Sequence, residues 1–310
     1  MTAPARAITT PTVAARRPGW PRFKRILRTV ALYGLLLLLS SFILLPISWM
    51  VTAALKPDTA PVFTFPPDWF PTEHFRLETF SEALFNPLNP YILYAFNSFL
   101  LCAVNIVGAV ISNSLIAYPF ARLRFRGREK MFGLLIATML LPAPVLLLPQ
   151  FLIFNELGWY GADLPGIGTY ASYLPLVVPS FLGNAFFIFL LRQYMRTIPK
   201  ELDEAARVDG ASHLQIYRHI ILPLTAPVLV VVAVFTFLGT WNDFFGPVIY
   251  ILDPQRYPVA TALATEVTKV GTKWNIVMAA NLVAIIPPLV IYFLSQKRLI
   301  GGIASVGIRG

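Results

Sequence analysis

Charged side chains are scarce in this 310-residue chain, where Asp, Glu, Lys and Arg together make up 13% of the residues. A soluble domain carries about 25% charged residues, so this chain has too little charge to cover a soluble body. Hydrophobic residues make up 56% of it, and the mean hydropathy is +0.66. Intrinsic disorder is excluded by the same values, because disorder requires low hydrophobicity.

Cysteine and catalytic motifs are also scarce. The single cysteine, Cys102, lies in an apolar run, and one thiol cannot build an intrachain disulfide, a zinc site or an iron–sulfur cluster. The sequence has no Gly-Lys-Ser or Gly-Lys-Thr phosphate loop and no Gly-x-Ser-x-Gly elbow, so we expect neither ATP hydrolysis nor serine-hydrolase chemistry on this chain. The three histidines do not form a metal cluster, and no cofactor or metal is expected on this chain.

The formal net charge is nevertheless +10, which allows two explanations. A basic balance can attract an anionic polymer such as nucleic acid. It can instead be the orientation signal of a membrane protein. The positions of the individual charges decide between these explanations.

Six stretches are apolar and long enough to cross ~30 Å of hydrocarbon as helices. They predict an all-α membrane protein with six transmembrane helices at about residues 30–55, 93–120, 131–154, 174–191, 224–250 and 276–295. A basic tail at 1–29 precedes the first helix, which is longer than the apolar part of a secretory signal, so we predict that it is not cleaved. The remaining predicted parts are an external loop at 56–92, a five-helix core at 93–296 and a C-terminal tail at 297–310.

This topology predicts that both termini are cytoplasmic. The segments predicted to lie inside hold 20 of the 25 Lys and Arg residues, which is the distribution that the positive-inside rule predicts. The basic residues lie in several short loops without an aromatic stripe, so no nucleic acid partner is expected. The expected location is the inner or plasma membrane, with membrane lipid as a neighbour.

The predicted inner loop at 192–223 is much longer than a minimal connection. Pro199 suits the first turn of a helix, and the acidic residues within 201–204 suit a helix N-terminus. Asp209-Gly210 predicts a turn. A second amphipathic helix is predicted by the apolar residues at 3–4 spacing, which are Leu214, Tyr217, Ile220 and Ile221. The pattern alone leaves two interpretations open, a surface-lying connector or a protrusion that inserts into a cleft of a soluble partner.

The same loop carries a specific resemblance. Glu204-Ala-Ala-Arg-Val-Asp-Gly210-Ala-Ser, followed by Ile221-Leu-Pro223, closely resembles the EAA loop of ATP-binding-cassette importer permeases. From about residue 30 to 310 the chain resembles the carbohydrate-type, MalG-like permease subunits of that family, which have the type I importer fold. Further matches are Trp241-Asn-Asp-Phe, Ile286-Pro-Pro288 and the glycine-rich ending at 301–310. The ending departs from the family at Arg309-Gly310, where Lys-Gly is more usual.

The resemblance implies a division of labour. The permease would form half of a translocation path for a carbohydrate, beside a second permease subunit. An extracytoplasmic solute-binding protein would deliver the solute, and two ATPase subunits would hold ATP and magnesium on their own chains. The residues implied to couple the permease to an ATPase subunit are Glu204, Ala205, Ala206, Asp209, Gly210 and Ala211. The tail residues implied to contact the ATPase subunits are Gly307, Arg309 and Gly310.

Polar side chains within the membrane are energetically costly and are therefore candidates for a solute path. Asp243 is the clear charge inside a predicted span, next to Trp241 and Asn242. This cluster could line the path, with the indole against sugar faces, or it could supply a structural hydrogen bond between helices. Asn105 is a weaker candidate of the same kind. An ion- or proton-coupled carrier that uses Asp243 is the alternative function, although it does not explain the long inner loop or the glycine-rich tail.

Overall fold

The computed structural model describes residues 22–69, 75–269 and 271–307. Within these ranges the regular structure is helical, and the β contact is an isolated antiparallel bridge between Leu164 and Gly168. The all-α prediction is therefore confirmed. The α-helices are α1 (Arg22–Ala54), α2 (Glu78–Phe85), α3 (Tyr91–Arg122), α4 (Arg128–Ala137), α5 (Ala143–Glu156), α6 (Leu174–Val177), α7 (Ala185–Met195), α8 (Glu201–Val208), α9 (His213–Ile216), α10 (Leu222–Leu224), α11 (Ala226–Trp241), α12 (Phe245–Tyr250), α13 (Val259–Val267) and α14 (Trp274–Gly307).

Four helical stretches in the described part of the chain are long and apolar enough to cross a membrane, although the third contains a short non-helical step at 182–184 inside the predicted span 174–191. They are Lys24–Ala54, Tyr91–Arg122, Thr169–Met195 and Trp274–Lys297. Two further stretches are sharply bent helix pairs, Arg128–Leu140 with Pro144–Glu156 at 102° and His213–Leu224 with Ala226–Trp241 at 75°. The total is six when each bent pair counts as one span, which agrees with the predicted number.

Proline explains why the third predicted span is bent. Leu141 and Pro142 have extended backbones between the two halves, and Pro144 lies in the first turn of α5. A proline supplies no backbone N–H and disfavours helical geometry at the residue before it. The stretch predicted as one helix at 131–154 is therefore two helices that meet at a sharp angle.

The chain divides into two compact units, of which the first ends at Trp49. In this unit α1 begins at Arg22 rather than at residue 30, so the helix includes part of the predicted basic tail. Its side chains from Lys24 to Ser48 are exposed. An exposed helix that is apolar on all sides is suited to lipid rather than to water.

In the second unit α3 is the central helix, since it packs against α7 and α11, while α11 also packs against α14. Toward the Arg122 end of α3, one core cluster includes Leu191, Met195, Ile216 and Ile221. Toward the Tyr91 end, another includes Cys102, Phe237 and Trp241. Cys102 is buried, as expected of a small apolar side chain. The two clusters hold the predicted coupling loop and the predicted solute path against the same helix.

The segment after α1 is fixed to the start of α14 by a charged cluster around Asp58. The Asp58 carboxylate accepts hydrogen bonds from Arg76 at 2.7 Å, from Lys273 at 2.7 Å and from Asn275 at 2.8 Å. Arg76 also pairs with Glu82 of α2. The hydrogen bonds from Lys273 and Asn275 hold the pKa of Asp58 below its ordinary value of 3.8.

We expect Asp58→Asn to lower the free energy of unfolding at neutral pH by about 1 kcal/mol, because the substitution removes the negative charge from the partly exposed ion pairs with Arg76 and Lys273. The folded-state pKa of Asp58 lies below 3.8. The contribution of the carboxylate to stability is therefore fully present above pH 3.8, and it is lost as the pH falls through the folded-state pKa. Thermal unfolding of the wild type and the variant in detergent, from pH 7 downward, checks this prediction. Glu78→Gln is the control, because Glu78 is exposed and lies 3.7 Å from Arg76. A stability difference that does not change with pH would contradict the prediction.

Candidate functional site

The predicted coupling loop forms a short helix–turn–helix made of α8, the turn at Gly210 and α9. Glu201, Asp203 and Glu204 lie in the first turn of α8, where the helix dipole favours negative charge. Lys200 is the N-cap residue of α8. Pro199 therefore precedes the cap and does not lie in the first turn as predicted. The turn at 196–198 that follows α7 occupies the residues before it.

Gly210 closes α8 with a left-handed backbone, at φ +81°. Its N–H donates to the Arg207 carbonyl at 3.0 Å, and the Ala211 N–H donates to the Ala206 carbonyl at 2.9 Å. Residues other than glycine adopt this conformation with difficulty, because Cβ then approaches the following carbonyl. The predicted turn at Asp209-Gly210 is thus a helix C-terminus whose geometry favours glycine.

α9 begins with a capping box that the sequence analysis missed. The Ser212 hydroxyl accepts the N–H of Gln215, and the Gln215 side chain accepts the N–H of Ser212 at 2.7 Å. The pattern Ser-x-x-Gln after a glycine turn was the available signal. Together, the cap and the glycine turn fix α9 relative to α8.

Part of the helix–turn–helix is exposed, and the exposed part includes apolar side chains. Val208 is 88% exposed and Leu214 is 66% exposed. Among the predicted coupling residues, Ala206 and Ala211 are half-buried against the core. The exposed coupling residues are Glu204, Ala205, Asp209 and Gly210. We call the exposed residues Glu204, Ala205, Val208, Asp209, Gly210 and Leu214 the coupling surface.

The predicted apolar face of the second amphipathic helix is wrong at Leu214. Leu214 was predicted to share an apolar face with Tyr217, Ile220 and Ile221, but Tyr217 and Ile221 are buried while Leu214 is exposed. A π-helical turn at Tyr217–Ile221 follows α9. This turn is wider than α-helix, so the expected 3–4 spacing does not carry across it.

Asp203 is a buried residue of this region that the sequence analysis missed. Its carboxylate faces Arg122 at the end of α3, with Nε and Oδ2 3.5 Å apart. The neighbouring acidic residues Glu201 and Glu204 are exposed. No local signal distinguishes Asp203 from them, because its partner lies far away in the sequence.

Three of the four predicted path residues, Trp241, Asn242 and Asp243, lie at a break between α11 and α12. α11 ends at Trp241, and α12 begins at Phe245, so the predicted helix at 224–250 is not continuous. Asp243 lies in the break and not within a helix. Its carboxylate accepts the N–H of Gly246 at 3.1 Å, which satisfies a donor in the first turn of α12. Asn242 is exposed, and its side chain donates to the Leu238 carbonyl at 2.8 Å.

Trp241 packs α11 against its neighbours. Its side chain is buried, with ring contacts to Phe99 and Phe237 at centroid distances of 4.9 and 5.4 Å. The indole N–H donates to the Ala284 carbonyl of α14 at 3.2 Å. Asn105 of α3 donates to the Thr240 hydroxyl at 3.3 Å. These contacts favour a structural role for Trp241 over the alternative in which its indole lies against sugar faces, and they favour a structural role for Asn105 as well.

A cavity of about 670 Å³ lies beside the break, between α11, α13 and α14. Its lining is largely apolar, and Asn242 and Asn281 supply amide groups to it. Asp243 and Asn105 do not line it. The residues that line it include Trp241, Asn242, Phe244, Leu263, Asn281 and Pro288. Of the four predicted path residues, the structure therefore brings Trp241 and Asn242 together at one cavity.

The predicted tail contacts are placed only in part. α14 extends to Gly307. Arg309 and Gly310 lie outside the described residues.

Comparisons with known proteins agree on one family. Residues 111–304 match the family described as "Binding-protein-dependent transport system inner membrane component". The chain is 26% identical over 297 residues to the maltose/maltodextrin transport system permease protein MalG of Yersinia pestis, over 94% of this chain and 96% of that protein. It is 29% identical over 294 residues to the probable ABC transporter permease protein YurM of Bacillus subtilis, over 94% and 92%.

Two solved structures have a similar fold. One is the crystal structure of a bacterial ABC transporter involved in the import of the acidic polysaccharide alginate, with a TM-score of 0.76 and 23% identity, covering 91% of this chain and 99% of that chain. The other is a bacterial alginate ABC transporter in complex with alginate pentasaccharide-bound periplasmic protein, with a TM-score of 0.56 and 20% identity, covering 89% and 96%. These matches confirm the predicted importer permease fold.

Proposed function

Because this chain belongs to the family of binding-protein-dependent transport system inner membrane components, we propose that it is a permease subunit of an ATP-driven importer for a sugar or oligosaccharide. As a member of that family it is a transport component and not an enzyme. In this proposal it forms half of the translocation path, and a separate ATPase chain supplies the energy.

The coupling surface is the observation that carries the proposal. It includes the exposed Glu204 carboxylate, for which the described residues supply no partner, and the exposed apolar side chains of Val208 and Leu214. Exposed apolar side chains next to a charge are typical of a protein interface. A short helix held by a glycine turn and a capping box can enter a groove of an ATPase subunit as a rigid body, with Glu204 paired to a basic group there.

The proposed solute class is supported by the relatives and by the cavity beside the break. The name of MalG specifies maltose and maltodextrin, and both similar structures concern alginate. In this chain the cavity offers the amide of Asn242 and the amide of Asn281 among apolar side chains. Amides can hydrogen-bond to sugar hydroxyls, while apolar walls suit the faces of sugar rings.

The proposed assembly contains a second permease subunit, two ATPase subunits with ATP and magnesium, and an extracytoplasmic solute-binding protein. The chain would cross the inner or plasma membrane several times with both termini in the cytoplasm. The coupling surface would then face the ATPase subunits. The end of the chain, with Gly307, Arg309 and Gly310, would also reach them.

Reconstitution tests this proposal against the ion-coupled carrier. The chain is purified with its co-purifying partners, placed in liposomes, and assayed for import of a panel of sugars with and without ATP and a protonophore. We expect import that requires ATP and the binding protein and that persists with the protonophore. Import driven by an ion gradient without ATP would overturn the proposal.

Asp243→Asn gives a second test of the carrier. The asparagine amide oxygen can still accept the N–H of Gly246, so the start of α12 is retained while the charge is removed. We expect ATP-driven import to stay within about twofold of the wild type, because the hydrogen bond to Gly246, worth roughly 1 kcal/mol, is retained. Complete loss of import by a folded, assembled variant would instead favour a direct role of the Asp243 charge.

A further inference from the structure

The coupling surface is tied to the transmembrane core by a buried charge pair. Of the eight residues of α8, all of which the structure describes, Asp203 is the buried one. The facing charge is Arg122, the last residue of α3. The two side chains are 4% and 1% exposed, and Nε of Arg122 lies 3.5 Å from Oδ2 of Asp203. A buried charge that lacks a partner is strongly destabilising, so each residue depends on the other.

Arg122 also holds the chain just before α8. Its Nη2 donates to the Pro199 carbonyl at 3.5 Å. One side chain at the end of α3 therefore contacts both the first turn of α8 and the segment that leads into it. A movement of α8 cannot occur without either moving Arg122 or breaking these contacts.

α3 extends from this pair to the opposite end of the core as one helix of 32 residues. At 1.5 Å per residue its length is about 48 Å. Near its start, the Asn97 side chain donates to the carbonyls of Gln255 and Tyr257 at 2.8 and 3.1 Å. The Ser98 hydroxyl accepts the N–H of Val259, the first residue of α13, at 2.8 Å. α3 is thus a continuous element between the coupling surface and the segment that enters α13.

α3 also reaches the break beside the cavity. Asn105 donates to the Thr240 hydroxyl at 3.3 Å, next to the point where α11 ends. The helix therefore contacts two of the three helices, α11 and α13, that contribute to the cavity wall. Displacement of α3 along its axis or about it would change the cavity.

The geometry of the pair leaves room for a change of arrangement. Nε and Nη1 of Arg122 and Oδ1 of Asp203 are buried without a hydrogen-bond partner among the described residues. A cavity of about 550 Å³ adjoins the pair and is lined also by Arg124, Lys200 and Arg207. A pair optimised only for stability would satisfy these atoms. The unsatisfied donors and the adjacent space favour a contact that tightens in another state of the protein.

We infer that Arg122 and Asp203 are positioning residues that transmit movement of the coupling surface to α3. The inference depends on the proposed function, because it requires an ATPase that moves the coupling surface. A second contact, between the hydroxyls of Tyr217 and Ser114 at 2.8 Å, joins the π-helical turn to the same helix. Loss of the charge pair therefore weakens the coupling between ATP hydrolysis and import without abolishing it.

The test compares solute imported per ATP hydrolysed in liposomes, at equal amounts of assembled complex. The variants are Asp203→Asn, Arg122→Gln and the exchange Arg122→Asp with Asp203→Arg. We expect each single variant to lower this ratio about tenfold, a typical magnitude for the coupling of two sites, and the exchange to recover at least half of it. Glu201→Gln is the matched control, because Glu201 is exposed in the same turn of α8, and it should leave the ratio unchanged.

The outcomes separate the inference from the proposed function. A wild-type complex that imports without ATP would overturn the proposed function and the inference with it. A wild-type complex that couples normally, with an unchanged ratio in both single variants, would overturn the inference alone. Failure of the single variants and of the exchange to assemble would also overturn it, because the pair would then serve stability only. Rescue of the ratio by the exchange is the result that a merely structural role does not predict.

Discussion

Gly210→Val is expected to abolish import while the chain still reaches the membrane and assembles its helices. Gly210 has φ +81°, and no neighbouring atom lies within 4 Å of the position that a Cβ would take. The effect therefore comes from the backbone and not from a clash. A left-handed conformation destabilises a β-branched residue by roughly 1–3 kcal/mol, and the turn can relieve this only by changing the angle between α8 and α9. The measurement is ATP-driven uptake at equal protein content in the membrane.

Two controls make this prediction specific. Gly158→Val introduces the same residue at φ +70° with no atom within 4 Å, at a turn remote in sequence from the coupling surface, and we expect it to retain import. Gly210→Asn should retain most import, since asparagine tolerates the left-handed region better than valine does. Normal uptake by Gly210→Val would show that the turn does not set the coupling surface.

Trp241→Ala is expected to lower the free energy of unfolding by about 3–5 kcal/mol, the usual range when a large buried aromatic side chain is removed. The truncation removes the contacts to Phe99 and Phe237 and the hydrogen bond to Ala284. It also enlarges the cavity that Trp241 already lines. Thermal unfolding of the purified chain in detergent measures the loss, and uptake should fall with it because α11 ends at this residue.

Trp241→Phe distinguishes packing from solute recognition. Phenylalanine keeps an aromatic ring and loses the N–H, so we expect a stability loss of about 1 kcal/mol and a nearly unchanged apparent affinity for the solute. If the indole instead stacked on a sugar ring, the affinity would fall sharply in Trp241→Phe while stability changed little. That result would restore the solute-contact interpretation of Trp241.

The spans that are helical throughout could be predicted well from the sequence. Residues 93–120 were predicted, and α3 covers Tyr91–Arg122, because a long and mostly apolar stretch can satisfy its backbone groups in lipid by forming a helix. Where proline interrupts such a stretch, as at Pro142, the prediction of one helix at 131–154 was wrong, because local sequence does not show which prolines a span tolerates. The bend of 102° depends on packing against residues distant in the chain.

The coupling loop could be predicted in outline, and its contacts could not. Gly210 and the acidic first turn of α8 are local signals that predict a turn and a helix start. The two interpretations left open for this loop, a surface-lying connector and an inserting protrusion, both predict the helices that are present. The burial of Asp203 depends on Arg122, which is 81 positions earlier in the numbering. Likewise, the position of Asp243 at a helix break depends on where α11 stops. Local periodicity carries no information about either.

The π-helical turn at Tyr217–Ile221 has a consequence for how this loop tolerates insertions and deletions. In an α-helix each residue advances the direction of the side chains by about 100°. Deletion of one residue from this turn would restore α-helical spacing and rotate α9, and α8 with it, by about that angle relative to α10. Val208 and Leu214 would then face another direction although no residue of the coupling surface had changed. The direction in which the coupling surface faces about the axis of α9 and α10 therefore depends on one additional residue in this turn.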